Sequence, residues 1–154
     1  MQPTSMPLRP HSEGDGRYKI SRAFILFSVF LSLLTAQPAL ANQVVSLTLV
    51  NAATDQDIRV LANGDSINLA VSGTSLNIRA DVDGPVGSVR FALDGSDNTR
   101  TENSHPYSLA GDADGDYAPW TPALGGHSLT AAPFSGPEGT GAAGLPLTIE
   151  FTAI

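Results

Sequence analysis

Short runs in which apolar and other residues alternate constrain the fold of this chain more than any other feature. In the run GSVRFALDG, Val89, Phe91 and Leu93 alternate with smaller or polar residues, and the run ends at Asp94-Gly95. A period of two places every second side chain on the same face of a β-strand. Glycine accepts a positive φ and aspartate favours turns, so Asp94-Gly95 predicts the end of that strand.

The same period recurs between residues 42 and 154, with Gly, Pro, Asn and Asp separating the runs, and no long stretch has helical spacing. Strands are predicted at 44–50, 58–61, 66–73, 75–83, 88–93, 126–132 and 145–154, with shorter candidates at 106–109 and 117–120. Strands with one solvated face belong to antiparallel sheets, and two such sheets bury their apolar faces against each other. We therefore expect an all-β antiparallel sandwich of seven to eight strands, with a closed barrel as the open alternative.

The N-terminal part of the chain has the three-part organisation of an export signal. A basic segment containing Arg17, Lys19 and Arg22 precedes an apolar run of about a dozen residues, and the small residues of Ala39-Leu40-Ala41 suit cleavage. An apolar run of this length is too short to span a bilayer comfortably. The pattern predicts a signal peptide, with an uncleaved anchor as the alternative.

These features divide the chain into three parts. Residues 1–16 have the polar, Pro- and Ser-containing composition of a disordered leader, residues 17–41 form the predicted signal peptide, and residues 42–154 form the β domain. The domain is expected to be exported to the extracellular space, the periplasm or the cell surface. Contact with a membrane is expected only through the signal segment, if that segment stays uncleaved.

Charge and cysteine content exclude several classes of function. Residues 42–154 contain no lysine and have four arginines against ten aspartates and three glutamates, a formal net charge of −9. Such a domain repels nucleic acid and anionic lipid. The chain has no cysteine, so disulfides, thiol catalysis and cysteine-based metal sites are excluded.

Three motifs resemble those of a known family. The run Val89-Arg90-Phe91 to Asp94-Gly95, then Pro106-Tyr107, then Gly126-His127-Ser128-Leu129-Thr130-Ala131 follow the arrangement V-x-F-x-x-D-G, P-Y and H/Y-x-L-T-A. This order is similar to that of bacterial immunoglobulin-like domains of secreted and cell-surface proteins. The resemblance covers nearly all of residues 42–154 and implies an immunoglobulin-like sandwich. Because the motifs of that family are structural, it implies no catalytic residue.

Alternating carboxylates make the sharpest candidate for a metal site. Asp112, Asp114 and Asp116 lie at every second position of GDADGDY, and Ca²⁺ takes six to eight oxygen ligands. An EF-hand is excluded because Tyr117 and Ala123 stand where that loop needs glycine and glutamate. A looser calcium site and a solvated turn between short strands remain as alternatives, and no other cofactor is expected.

The remaining polar residues do not indicate catalysis. Asp55 and Asp57, with Asp65 nearby in sequence, form a second acidic stretch that is interpreted as a loop. His105 and His127 lie far apart without the spacing of metal ligands, and His127 is expected on or beside a strand. No G-x-S-x-G motif is present. The sequence therefore favours a protein that is not an enzyme.

Two aromatic residues define the alternative function. Tyr117 and Trp120 could stack on sugar rings if both were exposed beside the acidic loop, whereas burial would make them part of the scaffold. The sequence predicts a non-catalytic secreted or cell-surface module that mediates protein contacts or structural spacing. The alternative is a small carbohydrate-binding module, whose binding calcium could assist. The expected partner is an extracellular protein or glycan.

Overall fold

The computed structural model describes residues 42–154, and in this part of the chain eleven strands and two short helical segments are present. The strands are β1 (Gln43–Asn51), β2 (Gln56–Val60), β3 (Asp65–Ile67), β4 (Leu76–Asp83), β5 (Ser88–Leu93), β6 (Arg100–Glu102), β7 (Tyr107–Ser108), β8 (Asp112–Ala113), β9 (Asp116–Tyr117), β10 (Gly125–Phe134) and β11 (Leu147–Ala153). The helical segments are α1 (Leu69–Ser72) and a 3₁₀ turn at Pro137–Gly139. The predicted all-β class is confirmed, whereas the predicted number of strands is too low.

The strands form two main sheets and one hairpin. Sheet A has the order β2-β1-β4-β7, sheet B has the order β3-β11-β10-β5-β6, and β8 pairs with β9. Every pair is antiparallel except β3 with β11, which is parallel. The antiparallel pairing predicted from alternation is therefore found in both sheets.

The core lies between sheets A and B. Its buried members include Leu47, Leu49, Ile78 and Ala80 of sheet A and Val89, Phe91, Leu129, Ile149 and Phe151 of sheet B. These residues occupy every second position of their strands, as the alternating pattern predicts, so each strand of the core has one buried face. The two layers form a β-sandwich.

The turn that follows β5 has the predicted chemistry. Asp94 and Gly95 both have positive φ, 52° and 83°, as the central residues of a type I′ turn require. The backbone N–H of Ser96 donates to the carbonyl of Leu93 at 3.0 Å and closes the turn. The local sequence therefore sets the end of the strand.

The predicted strand at 66–73 is wrong beyond Ile67. The Oδ1 atom of Asn68 accepts the N–H of Ala70 at 2.9 Å, and Gly73 ends the turn with φ of 80°. These two residues cap a single helical turn, which overrides the apolar alternation. As a result Val71, which the pattern places in the core, is 83% exposed.

The strands that the sequence analysis missed are short and polar. β6 lies in the polar stretch 96–103, and β8 and β9 both lie in GDADGDY, residues 111–117, where the alternatives were a calcium site or a solvated turn. Two- and three-residue strands with polar side chains have no alternating apolar signal, so only their pairing partners reveal them.

The predicted leader at 1–16 and signal peptide at 17–41 lie outside the described residues and stay predictions. Among residues 42–154, no helix is long and apolar enough to cross a bilayer.

Candidate functional site

The outer face of sheet A is covered by the segment that contains β8 and β9. The side chain of Asn77, on the outward phase of β4, is fully buried and makes four hydrogen bonds. Its Nδ2 donates to the carbonyls of Gly111 at 3.1 Å and Ala118 at 2.9 Å, and its Oδ1 accepts the N–H groups of Ala110 at 3.1 Å and Ile78 at 2.8 Å. Every donor and acceptor of this amide is satisfied. Asn77 therefore clamps both ends of the hairpin to sheet A.

Tyr117 of β9 is buried under this hairpin rather than exposed. Its side chain packs with Val50 and Ala52 in a small cluster on the outer face of sheet A, and the residue is 7% exposed. Its backbone N–H donates to Oδ1 of Asp55 at 3.0 Å. The ring therefore does not present a face on which a sugar could stack.

Trp120 occupies a different environment. It is half-buried, packs against the margin of the main core, and pairs with Leu76 through backbone bonds of 2.6 Å and 3.0 Å. Within residues 42–154, Tyr117 and Trp120 thus do not make the exposed aromatic pair that the carbohydrate-binding alternative requires.

The three alternating carboxylates are separated by the hairpin itself. Asp112 lies opposite Tyr117 and Asp116 lies opposite Ala113, so Asp112 and Asp116 point to opposite faces of the two-stranded ribbon. Asp114 and Gly115 form the turn with φ of 55° and 92°, and Oδ2 of Asp112 accepts the N–H of Gly115 at 2.7 Å. Among the described residues, no group of three or more His, Cys, Asp or Glu side chains could hold a metal ion. Calcium binding stays an untested prediction.

The second acidic stretch is also dispersed. Asp57 forms a bidentate pair with Arg79, in which Nη1–Oδ1 is 2.7 Å and Nη2–Oδ2 is 2.9 Å. Asp65 pairs instead with Arg59, which joins the edge strands β2 and β3, and Asp55 accepts the backbone N–H of the hairpin. Each carboxylate therefore has its own structural partner.

An ionic network runs across the outer face of sheet A. Arg79 Nε donates to Oδ1 of Asp81 at 2.7 Å, and Oδ2 of Asp81 accepts the hydroxyls of Thr48 at 2.6 Å and Ser46 at 2.8 Å. The hydrogen bonds that Arg79 donates to Asp57 raise the pKa of Arg79 despite its partial burial. Burial alone would raise the pKa of Asp81, but its bonds to Arg79, Thr48 and Ser46 lower it overall. Both groups stay charged and hold the face together.

His127 closes one end of the sandwich. It lies on β10, as expected, and its ring stacks on Phe151 with centroids 5.1 Å apart. Its Nδ1 is 2.7 Å from Oδ2 of Asp94, and its Nε2 is 2.8 Å from the carbonyl of Ala123. The carbonyl of Ala123 and the ionised carboxylate of Asp94 are both acceptors and cannot donate. The imidazolium form of His127, which donates from both ring nitrogens, therefore fits this site best.

The titration of this pair follows from the contacts. Burial would lower the pKa of His127, but the carbonyl of Ala123 and the carboxylate of Asp94 raise it overall. Burial would raise the pKa of Asp94, but the bonds from His127 and from the N–H of Ser128 lower it overall. This pair joins the turn after β5 to β10.

The outer face of sheet B has a different composition. Its three central strands present Arg90 and Ala92 of β5, Ser128, Thr130, Ala132 and Phe134 of β10, and Thr148, Glu150 and Thr152 of β11. Apart from Phe134, the uncharged members are small. This set of nine residues is called the B face below.

Among residues 42–154, Arg90 has no ionic partner on the B face. Its Cζ lies 5.1 Å from the centroid of the Phe134 ring, a cation–π arrangement. Gly139 of the 3₁₀ turn leaves room for the guanidinium, since a Cβ there would lie 2.1 Å from Nη2 of Arg90. In the described part of the chain, the arginines that make ion pairs are Arg59, Arg79 and Arg100.

No sequence motif marks Asn77, Arg79 or Arg90 as site residues. Their positions on the outward phase of β4 and β5 could have been read from the alternation, but solvated polar residues are normal there. Only the segments that fold back onto each sheet distinguish them from ordinary surface residues.

Comparison with known proteins finds little similarity. No family model matches the chain, and no curated protein matches it. Three chains among the solved structures match, including one from the Clostridium thermocellum CbhA fibronectin(III)-like modules. That chain is 19% identical with a TM-score of 0.39, over 60% of this chain and 89% of the other. The fold therefore rests on the strand pairing of this chain itself.

Proposed function

We propose that residues 42–154 form an immunoglobulin-like module of an exported protein, which acts through protein contacts and not through catalysis. The strand pairing supports the fold assignment. Strands β1, β4 and β7 share one sheet and β5, β10 and β11 share the other, which corresponds to the A-B-E and C-F-G division of immunoglobulin-like sandwiches. The motifs that resemble bacterial immunoglobulin-like domains lie on β5, β7 and β10 of this arrangement.

The observation that carries the non-catalytic proposal is the use of the acidic side chains within the fold. Asp57 and Asp81 bind Arg79, Asp94 binds His127, and Asp112 bonds its own turn. Carboxylates of this kind would supply the acid and base of a carboxylate-based reaction. Their internal bonds support a scaffold that presents surfaces.

The export signal predicted at 17–41 supports a location outside the cytoplasm, and the absence of cysteine means that the domain does not depend on disulfides there. We infer a secreted or cell-surface position. Fractionation of cells expressing the full chain, with mass spectrometry of the N-terminus, tests it. Cytoplasmic recovery of an unprocessed chain would contradict this part of the proposal.

Photo-crosslinking in the native organism tests the protein-contact role. A photoreactive amino acid replaces Thr130 at the centre of the B face, and matched probes replace Asp116 on the hairpin and Val71 on α1. We expect a protein adduct from at least one position, strongest at Thr130 because the hairpin does not cover that face. The absence of a protein adduct from all three positions would overturn the proposal.

The carbohydrate alternative gives an opposite result in a glycan-binding assay. With Tyr117 buried, it depends on Trp120 alone. Binding to a glycan that is lost in Trp120→Ala would replace the protein-contact proposal, and comparison with and without a chelator would show whether calcium takes part.

A further inference from the structure

The B face has one cation and one anion, and they lie at opposite ends. Arg90 is beside Ala132 on one side of β10, and Glu150 is beside Ser128 on the other side of that strand. Two strand spacings and four residues of strand rise separate the two charges, which places their Cα atoms about 16 Å apart. In the described residues, neither side chain takes part in an ion pair.

Between the two charges the face is made of small side chains. Ala92 and Ala132 lie on the Arg90 side, while Thr130 and Thr148 bond to each other through their hydroxyls at 2.7 Å. Ordering these side chains at an interface costs little conformational entropy, since alanine has no side-chain rotamers and the two hydroxyls are already fixed to each other. Another sheet could therefore pack against this face at about 10 Å.

We propose that the B face binds the B face of a second copy of this chain, so that Arg90 of each copy pairs with Glu150 of the other. A two-fold axis in the plane between the two faces places the Arg90 end of each copy over the Glu150 end of the other copy. A surface with a cation at one end and an anion at the other is complementary to itself under that operation. The inference rests on the proposed role in protein contacts and names the partner.

The net charge of the domain favours the B face over its other surfaces as the contact between two copies. The formal net charge of −9 for residues 42–154 opposes contact between most surfaces of two copies. The B face itself has one positive and one negative side chain and is neutral, so the repulsion between copies is smallest there. The carboxylate at its rim, Asp94, is already paired with His127.

The position of Arg90 also reduces the cost of pairing. The guanidinium is restrained between the Phe134 ring and the backbone of Gly139, so less side-chain freedom remains to be lost when it binds a carboxylate. Arginine fixed against an aromatic ring is typical of the residues that dominate protein interfaces.

The size of the face limits the strength of the dimer. Strand spacing and rise give an area of roughly 450 Å² per copy, at the low end for specific interfaces. We therefore expect a weak dimer whose association depends on protein concentration and weakens as salt screens the two ion pairs.

Analytical ultracentrifugation of the protein purified after expression of the full chain tests the inference over a concentration series at low salt. We expect a monomer–dimer equilibrium that Arg90→Glu and Glu150→Arg each weaken at least tenfold, because each places like charges together. The double variant Arg90→Glu/Glu150→Arg restores the original dissociation constant, because it exchanges the two charges. Asp116→Arg on the hairpin makes the same charge change as Glu150→Arg outside the B face, and it leaves the dimer intact.

A monomer at every concentration, a dimer that tolerates both single reversals, or a double variant that is not restored would each overturn the inference. Circular dichroism of each variant confirms folding, and Glu150→Arg, at an exposed position, gives a test that does not disturb the Arg90 packing. Adducts from Thr130 to a different protein would leave the protein-contact role standing and refute the second copy as partner. Absence of both dimer and adduct would refute both.

Discussion

The outer faces of the two sheets differ in how their polar groups are used. On sheet A, the hairpin of β8 and β9 folds over the surface, and Asn77, Arg79 and Asp81 are bonded within the domain. On sheet B, the corresponding surface has small residues, and its two charges, Arg90 and Glu150, make no ion pair in the described residues. The polar groups of one face contribute to stability, and the other is the face that we propose for protein contacts.

Composition does not distinguish the outer face of sheet A, whose polar groups are bonded within the domain, from the B face. Both faces consist of the outward residues of antiparallel strands, and both include an arginine on a central strand. The difference lies in whether a distant segment supplies partners for those residues. The following predictions test this difference in order of decreasing effect.

Loss of the hairpin clamp should have the largest effect. Asn77→Ala removes two donors and an acceptor from backbone groups that are buried with it, so we expect a loss of roughly 3 kcal/mol in the free energy of unfolding. Urea denaturation followed by Trp120 fluorescence measures it. The matched change on the B face, Thr130→Ala, should cost less than about 0.5 kcal/mol. Equal losses from the two variants would contradict the comparison.

Removal of the arginine from each face should have an intermediate and unequal effect. Arg79→Met leaves Asp57 and Asp81 without their ionic partner, and we expect a loss of about 1–2 kcal/mol, limited by the exposure of Asp57. Arg90→Met removes a cation–π contact and the packing of the guanidinium against Gly139 but no ion pair within residues 42–154, and we expect about 0.5 kcal/mol. Thermal and urea denaturation of both variants gives the comparison. A greater loss in Arg90→Met would show that the B face is the more structural of the two.

The free energy of unfolding should be largest at mildly acidic pH and should decrease at both lower and higher pH. The pKa of Asp81 and of Asp94 is lowered, so their contribution is present above about 3.8 and is lost as pH falls through the folded-state values. The pKa of His127 is raised, so its contribution is present below about 6.5 and is lost as pH rises through its folded-state value. Denaturation midpoints measured across this range test the signs.

Two variants separate these effects. Asp94→Asn removes the carboxylate that stabilises the imidazolium, so it should lower the pKa of His127, measured by NMR, and flatten the loss of stability at higher pH. Asp81→Asn should flatten the loss at acidic pH and leave the pKa of His127 unchanged. An unchanged His127 pKa in Asp94→Asn would show that the carbonyl of Ala123 alone controls this site.

The smallest effect is expected from neutralising the exposed anion of the B face. Glu150→Gln should change the free energy of unfolding by less than about 0.5 kcal/mol when measured at a concentration where the protein is monomeric. A loss above 1 kcal/mol, by the same denaturation assay, would indicate that Glu150 has an internal structural role instead.

The alternation of apolar residues predicted the core strands well, whereas the local sequence predicted the candidate sites poorly. The alternation around Phe91 predicted both the strand and its buried face, because pleating is a property of neighbouring residues. Asp94-Gly95 predicted its turn for the same reason. The metal-site hypothesis at Asp112, Asp114 and Asp116 depended on directions that the hairpin register decides, and that register places the first and last of them on opposite faces.

Capping and long-range contacts account for the other differences. Asn68 and Gly73 end the strand pattern early, although each residue is visible in the sequence as a helix cap. Tyr117 could be assigned to neither surface nor interior from its neighbours, since it is buried by Val50 and Ala52, more than sixty residues away along the chain.

By itself, the sequence determined the all-β class, the buried phase of the principal strands and the turn after β5, because each depends on residues adjacent in the chain. The tertiary structure alone decided which outer face is covered, how Asn77 and Arg79 are satisfied and which charges stay unpaired. These outcomes depend on contacts between segments that are far apart in sequence, and the local sequence pattern does not show which segments make contact.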